Sequence, residues 1–139
     1  MVGVADFRLA SCYKDFAQSY AEKHAAEKSK ILYTGDWGWG YYMDKVGFTP
    51  VLSKGVQQIV RGATIVVPTL AWPQPLPKKV IENSIVEEVM PVHDNFPVRS
   101  FNGWAKAFFY AEYLPNGTGF LPYSFSLAPL EIFSILKVK

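Results

Sequence analysis

The run Ala63-Thr64-Ile65-Val66-Val67 constrains this chain more than any other feature. It is apolar, rich in β-branched residues and stopped by Pro68, the pattern of a buried strand. Upstream of it the pattern alternates. A helix is expected from about Asp6 to Lys28, then a strand from Lys30 to Thr34, a short aromatic helix from Trp37 to Val46, and a short strand from Thr49 to Leu52. Helix, strand, helix, strand and strand in that order imply a small parallel α/β core with right-handed crossovers.

Local chemistry supports these elements. Asp6 reads as the N-cap of the first helix, and Leu9, Tyr13, Phe16 and Tyr20 recur at helical spacing, flanked by Cys12 and Ala17. Lys14, Gln18, Glu22 and Lys23 mark the opposite face as the exposed one. Cys12 therefore reads as a small buried hydrophobe. Gly47 reads as the C-cap of the second helix.

The second half is read differently. Pro68, Pro73, Pro75 and Pro77 make residues 68–79 a stiff surface excursion that no central strand could contain. Val80–Val92 reads as a long, partly exposed strand because Ile85, Val86 and Val89 are β-prone. Pro97–Phe101 and Glu131–Val138 are further strand candidates, and the turn Leu114-Pro115-Asn116-Gly117 opens a Gly/Pro/Ser-rich loop over 117–129. The expected fold is a single α/β domain over residues 1–139. Its sheet is Rossmann-like and mixed, parallel in the N-terminal half, with helices packed on it.

Composition removes several function classes. Of 139 residues, 50% are hydrophobic and only 19% charged, which excludes a disordered chain. A net charge of +2 is too balanced for a nucleic-acid surface. One cysteine cannot close an internal disulfide. No stretch approaches the roughly 20 apolar residues that cross a bilayer. Asp6 and Arg8 interrupt the N-terminal segment, so no signal peptide is read there.

Self-contained catalytic chemistry is not legible. His24, His93 and Cys12 are scattered, so no metal set forms in the sequence, and His93-Asp94 reads as a solvated turn. No P-loop is present. The glycines of Gly35-Asp36-Trp37-Gly38-Trp39-Gly40 follow G-x-x-G-x-G rather than the dinucleotide spacing, and two tryptophans crowd the backbone a pyrophosphate would approach. No cofactor is expected, and no catalytic residue is assigned.

The densest signal is Tyr33-Thr34-Gly35-Asp36-Trp37-Gly38-Trp39-Gly40-Tyr41-Tyr42-Met43-Asp44. Helical spacing places Trp37 and Tyr41, four apart, against the core, with Trp39 and Tyr42 partly exposed. Asp36 falls at the C-terminal end of the first strand, where open α/β sheets place ligands. A carboxylate beside aromatic faces suits a saccharide, whose hydroxyls need acceptors and whose CH faces stack on rings. Asp36, Trp37, Trp39, Tyr41 and Tyr42 are the candidate ligand-binding residues, with Arg99 as an anion anchor.

Gly35–Gly47, GDWGWGYYMDKVG, resembles the WGF-x-YY-M-x-x-x-G motif in soluble C-terminal domains of polyprenyl-phosphate-sugar-dependent membrane glycosyltransferases, a group similar to the dolichyl-phosphate-mannose–protein mannosyltransferases. Other pieces follow in order. Ala5–Ala10 with Phe16-Ala17 resembles the helix after the last membrane span, and Arg61–Pro68 resembles a pGD-x-x-vvP strand in which Ala63 replaces the usual Asp. Pro97-Val98-Arg99, Phe108-Phe109-Tyr110, Leu121-Pro122-Tyr123 and Glu131-Ile132-Phe133 resemble its closing pattern. The resemblance implies an extracytoplasmic (periplasmic) domain without the catalytic carboxylates, which in that family lie between the membrane helices. Its implied partners are a saccharide or glycan acceptor and the membrane portion of a parent protein. In a eukaryotic secretory lumen Asn116-Gly117-Thr118 would also be a glycosylation sequon.

Two other readings stay open at the level of sequence. One is a small ligand-binding protein or enzyme with Asp36 at a pocket mouth. The other is an interaction domain using Trp39, Trp72 and Trp104 as exposed anchors.

Overall fold

The structure, a computed structural model, describes residues 2–51, 59–71, 74–100, 121 and 123–139. Helix α1 (Val2–Lys23) is followed by a 3-10 segment (Ala25–Lys30), β1 (Ile31–Tyr33), α2 (Trp37–Lys45), β2 (Thr49–Pro50) and β3 (Thr64–Pro68). Then come α3 (Lys78–Glu82), β4 (Ser84–Val92), β5 (Val98–Arg99), β6 (Ser124–Phe125) and β7 (Glu131–Val138). Five strands form one sheet in the order β2-β1-β3-β7-β4, and β5 and β6 form a separate antiparallel pair. β2, β1 and β3 run parallel, whereas β7 is antiparallel to both β3 and β4. This is the mixed α/β architecture expected, with the parallel strands in the N-terminal half. The strand at 63–67 holds the central position, which its apolar composition requires.

Alternation along the strands builds two cores. Ile31 and Tyr33, Val66, and Phe133 and Ile135 face α1 and α2, where they meet Tyr13, Phe16, Ala17, Tyr20, Trp39 and Met43. Leu32, Ile65 and Val138 point the other way, into a smaller cluster with Val51, Ala63 and Val80. The buried stripe of α1 is the one read from helical spacing, with Cys12 inside it at 8% exposure.

The structure corrects several boundaries. Asp6 does not cap α1, which starts at Val2; its carboxylate instead accepts a hydrogen bond from the Ser100 hydroxyl, tying the helix to the residue that follows β5. The α-helix stops at Lys23 rather than Lys28. The Ala25–Lys30 turn buries none of its residues, so no apolar stripe holds it in α geometry. Residues 78–82 form a helical turn before β4, and Pro68 is the last residue of β3, paired with Phe133, rather than lying beyond it. Ser124–Phe125 is a strand within the span read as loop.

β4 is the long, mostly exposed strand expected, and it lies at the sheet edge. A register shift at Val86/Glu88, the exposed pair Glu87 and Glu88, and Pro91 blunt that edge against further strand pairing. No helix among the described residues is long and apolar enough to cross a membrane. Trp72, Trp104 and the Asn116 sequon lie outside the described residues.

Candidate site at the C-terminal ends of the parallel strands

Two loops meet where β1 and β3 end. Gly35, at φ 98°, turns the chain from β1 toward α2 so tightly that a side chain there would begin 2.8 Å from the Ala71 carbonyl and 2.9 Å from the Trp39 ring. Only glycine fits that conformation without strain. Asp36 follows as the exposed N-cap of α2, its Oδ1 accepting the Trp37 N–H at 3.0 Å. Trp37 then adopts φ 58°, the left-handed region that a bulky residue rarely occupies.

That backbone path overturns the expected phase of α2. Trp37 is 47% and Tyr41 60% exposed, while Trp39 and Met43 are fully buried and Tyr42 is half-buried. Trp39 inserts beneath the end of β1, where its indole N–H donates to the Thr34 carbonyl at 2.7 Å. Its ring stacks on Phe133 at 4.9 Å between centroids and meets Tyr13 and Phe16 at 5.8 and 5.7 Å. Trp39 is thus a core anchor, neither a ligand contact nor an exposed hot spot. The pairs 37/41 and 39/43 are equally apolar at i,i+4 spacing, so periodicity could not choose between them.

What α2 displays is a polar-aromatic face. Asp36 and Asp44 are exposed on it, and the buried Gly40 lies between them at four-residue spacing. Asp36 Oδ1 and the Tyr33 hydroxyl each lie 3.7 Å from where a Gly40 side chain would begin, and the Tyr33 hydroxyl donates to Asp44 Oδ1 at 2.7 Å. Burial, and then the hydrogen bond and charge of Asp44, push the Tyr33 phenol well above its ordinary range, so it remains a donor that fixes Asp44. The rings of Tyr41 and Tyr42 meet edge to face at 5.2 Å, and the Lys45 ammonium lies 5.8 Å from the Tyr41 centroid. Tyr33 and Asp44 were missed as site residues. The 36/40/44 spacing signals Asp44 alone; Tyr33, in β1, has no such signal.

Arg99 does not join this face as an anion anchor. It is 1% exposed, and its guanidinium donates to the backbone carbonyls of Phe96, Val98, Asp94 and Ala128, pinning the 94–99 turn to the residues after β6. Burial lowers its pKa, partly opposed by Asp94. A cleft of about 190 Å³ between α1 and α2 is lined by Lys14, Gln18, Tyr42 and Lys45 and does not include Asp36, and a second cleft lies at the far end of the sheet.

The loop against which Gly35 packs is held from inside. Glu131, the first residue of β7, is fully buried. Its carboxylate accepts the N–H groups of Thr69 and Ile132 at 2.9 and 2.8 Å, that of Leu70 at 3.2 Å and the Tyr13 hydroxyl at 3.0 Å. Burial raises its pKa and those four donors hold it down, with burial the larger effect. The same burial, with the nearby Glu131 charge, pushes the Cys12 thiol up to about 12. Glu131 fixes residues 69–71, Ala71 confines Gly35, and Gly35 sets the pose of Asp36 and Trp37.

Among the described residues no group of three or more His, Cys, Asp or Glu could hold a metal ion. The fold and the site define a class, a small mixed α/β domain with two carboxylates and exposed aromatic rings beside the C-terminal ends of its parallel strands. No protein-family model, curated protein or solved structure matches the chain.

Proposed function

We propose that this chain is a non-catalytic, extracytoplasmic domain of a polyprenyl-phosphate-sugar-dependent membrane glycosyltransferase, and that its α2 face contacts the saccharide acceptor. One observation carries the reading. The segment that resembles that family's motif is divided by the fold into an anchoring half, Trp39 and Met43, and a displayed half, Asp36, Trp37, Tyr41 and Asp44. Two carboxylates that accept sugar hydroxyls, beside rings that stack on sugar CH faces, form a saccharide-type surface. Sugar transfer needs a positioned base, a lipid-phosphate site and charge stabilisation for the leaving group, and a single base supplies only about 10²–10⁴-fold.

Titration of the whole chain with a broad glycan panel, read by tryptophan fluorescence, tests the reading. A saturable change at about millimolar concentration is expected, equivalent to roughly 4 kcal/mol. Asp36→Ala should abolish it and Asp44→Asn should weaken it. A panel with no response removes the saccharide surface. Sugar transfer by the isolated chain that disappears in Asp36→Asn overturns the non-catalytic assignment and makes this a small enzyme. Membrane spans encoded in frame upstream of Met1 would support the parent architecture.

A further inference from the structure

A second site takes shape at the opposite end of the sheet, where the parallel strands begin. Gly62, at φ 81°, turns the chain into β3, and its N–H donates to the Val138 carbonyl at 2.8 Å. Val138 N–H returns a bond to Ala63 at 2.9 Å, and Lys139 N–H donates to the Asn83 carbonyl at 2.8 Å. These backbone bonds join the start of β3, the end of β7 and the α3–β4 junction around a cleft of about 220 Å³. Arg61, Lys79 and Lys139 line it with Asn83, and the buried side chains of Val80 and Val138 contribute apolar walls.

The charge there is one-sided. Among the described residues no Asp or Glu lines the cleft, and the ion pairs are Arg8–Asp94 and Lys78–Glu82, so no described acidic side chain neutralises the three cations. The Asn83 amide is itself held, its Nδ2 donating to the Lys79 carbonyl at 2.7 Å, which fixes the side chain between the cationic elements. A phosphomonoester carries close to two negative charges at neutral pH and several acceptor oxygens. Arginine can take such a group with two parallel N–H donors, while lysine adds a point charge.

We propose that this cleft binds the phosphate group of a phosphomonoester whose apolar substituent packs on Val80 and Val138. The site is separate from the α2 face and stands or falls independently of it.

Amide NMR of the whole chain, titrated with phenyl phosphate, tests the proposal. Saturable shifts are expected at Asn83, Val138 and Lys139, tighter than those produced by inorganic phosphate, which lacks the ring. Arg61→Gln and Lys79→Gln should each weaken binding about fivefold or more. Both residues are exposed, so neither change should disturb folding. Lys78→Gln is the control, since Lys78 lies on the same helical turn outside the cleft. Phosphatidylcholine vesicles containing phosphatidic acid separate the sources of the phosphate. Displacement of phenyl phosphate by these vesicles supports a lipid headgroup, and failure to displace it supports a soluble ester. Absence of saturable shifts at these amides overturns the proposal. So does a loss in Lys78→Gln equal to that in Lys79→Gln, the mark of diffuse charge attraction.

Discussion

Replacing Glu131 by alanine takes the acceptor away from four donors at once. Thr69 N–H retains a partner in the Ile132 carbonyl at 3.1 Å, but the Leu70 N–H and the Tyr13 hydroxyl are left buried with their Glu131 bonds broken. Each such orphan costs about 1–3 kcal/mol, and removing the desolvated carboxylate offsets part of the loss. A net destabilisation of about 2–4 kcal/mol follows, which in a domain of this size lowers Tm by roughly 6–12 °C. Thermal and urea unfolding followed by circular dichroism measure it directly. Glu131→Gln removes the charge while keeping one acceptor oxygen, but it aims an NH2 group at backbone N–H donors, so a smaller loss is expected. The pH dependence supplies an independent reading. Burial raises the folded-state pKa of Glu131 above its ordinary 4.5, so between that value and the raised one the native protein holds a proton that the unfolded chain releases. The stabilising contribution of the neutral acid is therefore full below pH 4.5 and is lost as pH rises through the folded-state pKa. Wild type minus Glu131→Gln should show that decline. A Tm for Glu131→Ala within about 2 °C of wild type, or a difference curve that rises with pH, would refute the reasoning.

Two further outcomes follow from the same geometry. Gly35→Ala should destabilise by about 2–4 kcal/mol, because a left-handed backbone alone costs about 1–3 kcal/mol and the added methyl meets a carbonyl oxygen; chemical denaturation checks this, and a loss near zero would contradict the tight turn. Cys12, buried and with its thiol raised to about 12, should resist alkylation at pH 8 until the chain unfolds, and mass spectrometry of a timed iodoacetamide reaction would reveal ready labelling of the native protein if that is wrong.

Much of the fold was legible because local periodicity suffices where one face is plainly apolar. The Tyr13–Phe16–Tyr20 stripe, the β-branched run at 63–67, the terminal strand at 131–138 and Gly47 after α2 are all decided within a few residues of chain. The same rule left α2 undecided, because both of its faces carry aromatic residues. There the choice belongs to tertiary structure. Gly35 and Trp37 in left-handed conformations rotate the helix, and a slot lined by Phe16, Tyr13 and Phe133, from α1 and β7, accepts Trp39 rather than Trp37. Arg99 and Glu131 show the same limit. Each is a charged residue buried with the help of backbone groups distant in sequence: Thr69 and Leu70 for Glu131, and Ala128 for Arg99, which joins three carbonyls of Arg99's own turn. Hydrophobic patterning is a property of neighbours along the chain. The partners that allow a charge to be buried are brought together only by the completed fold.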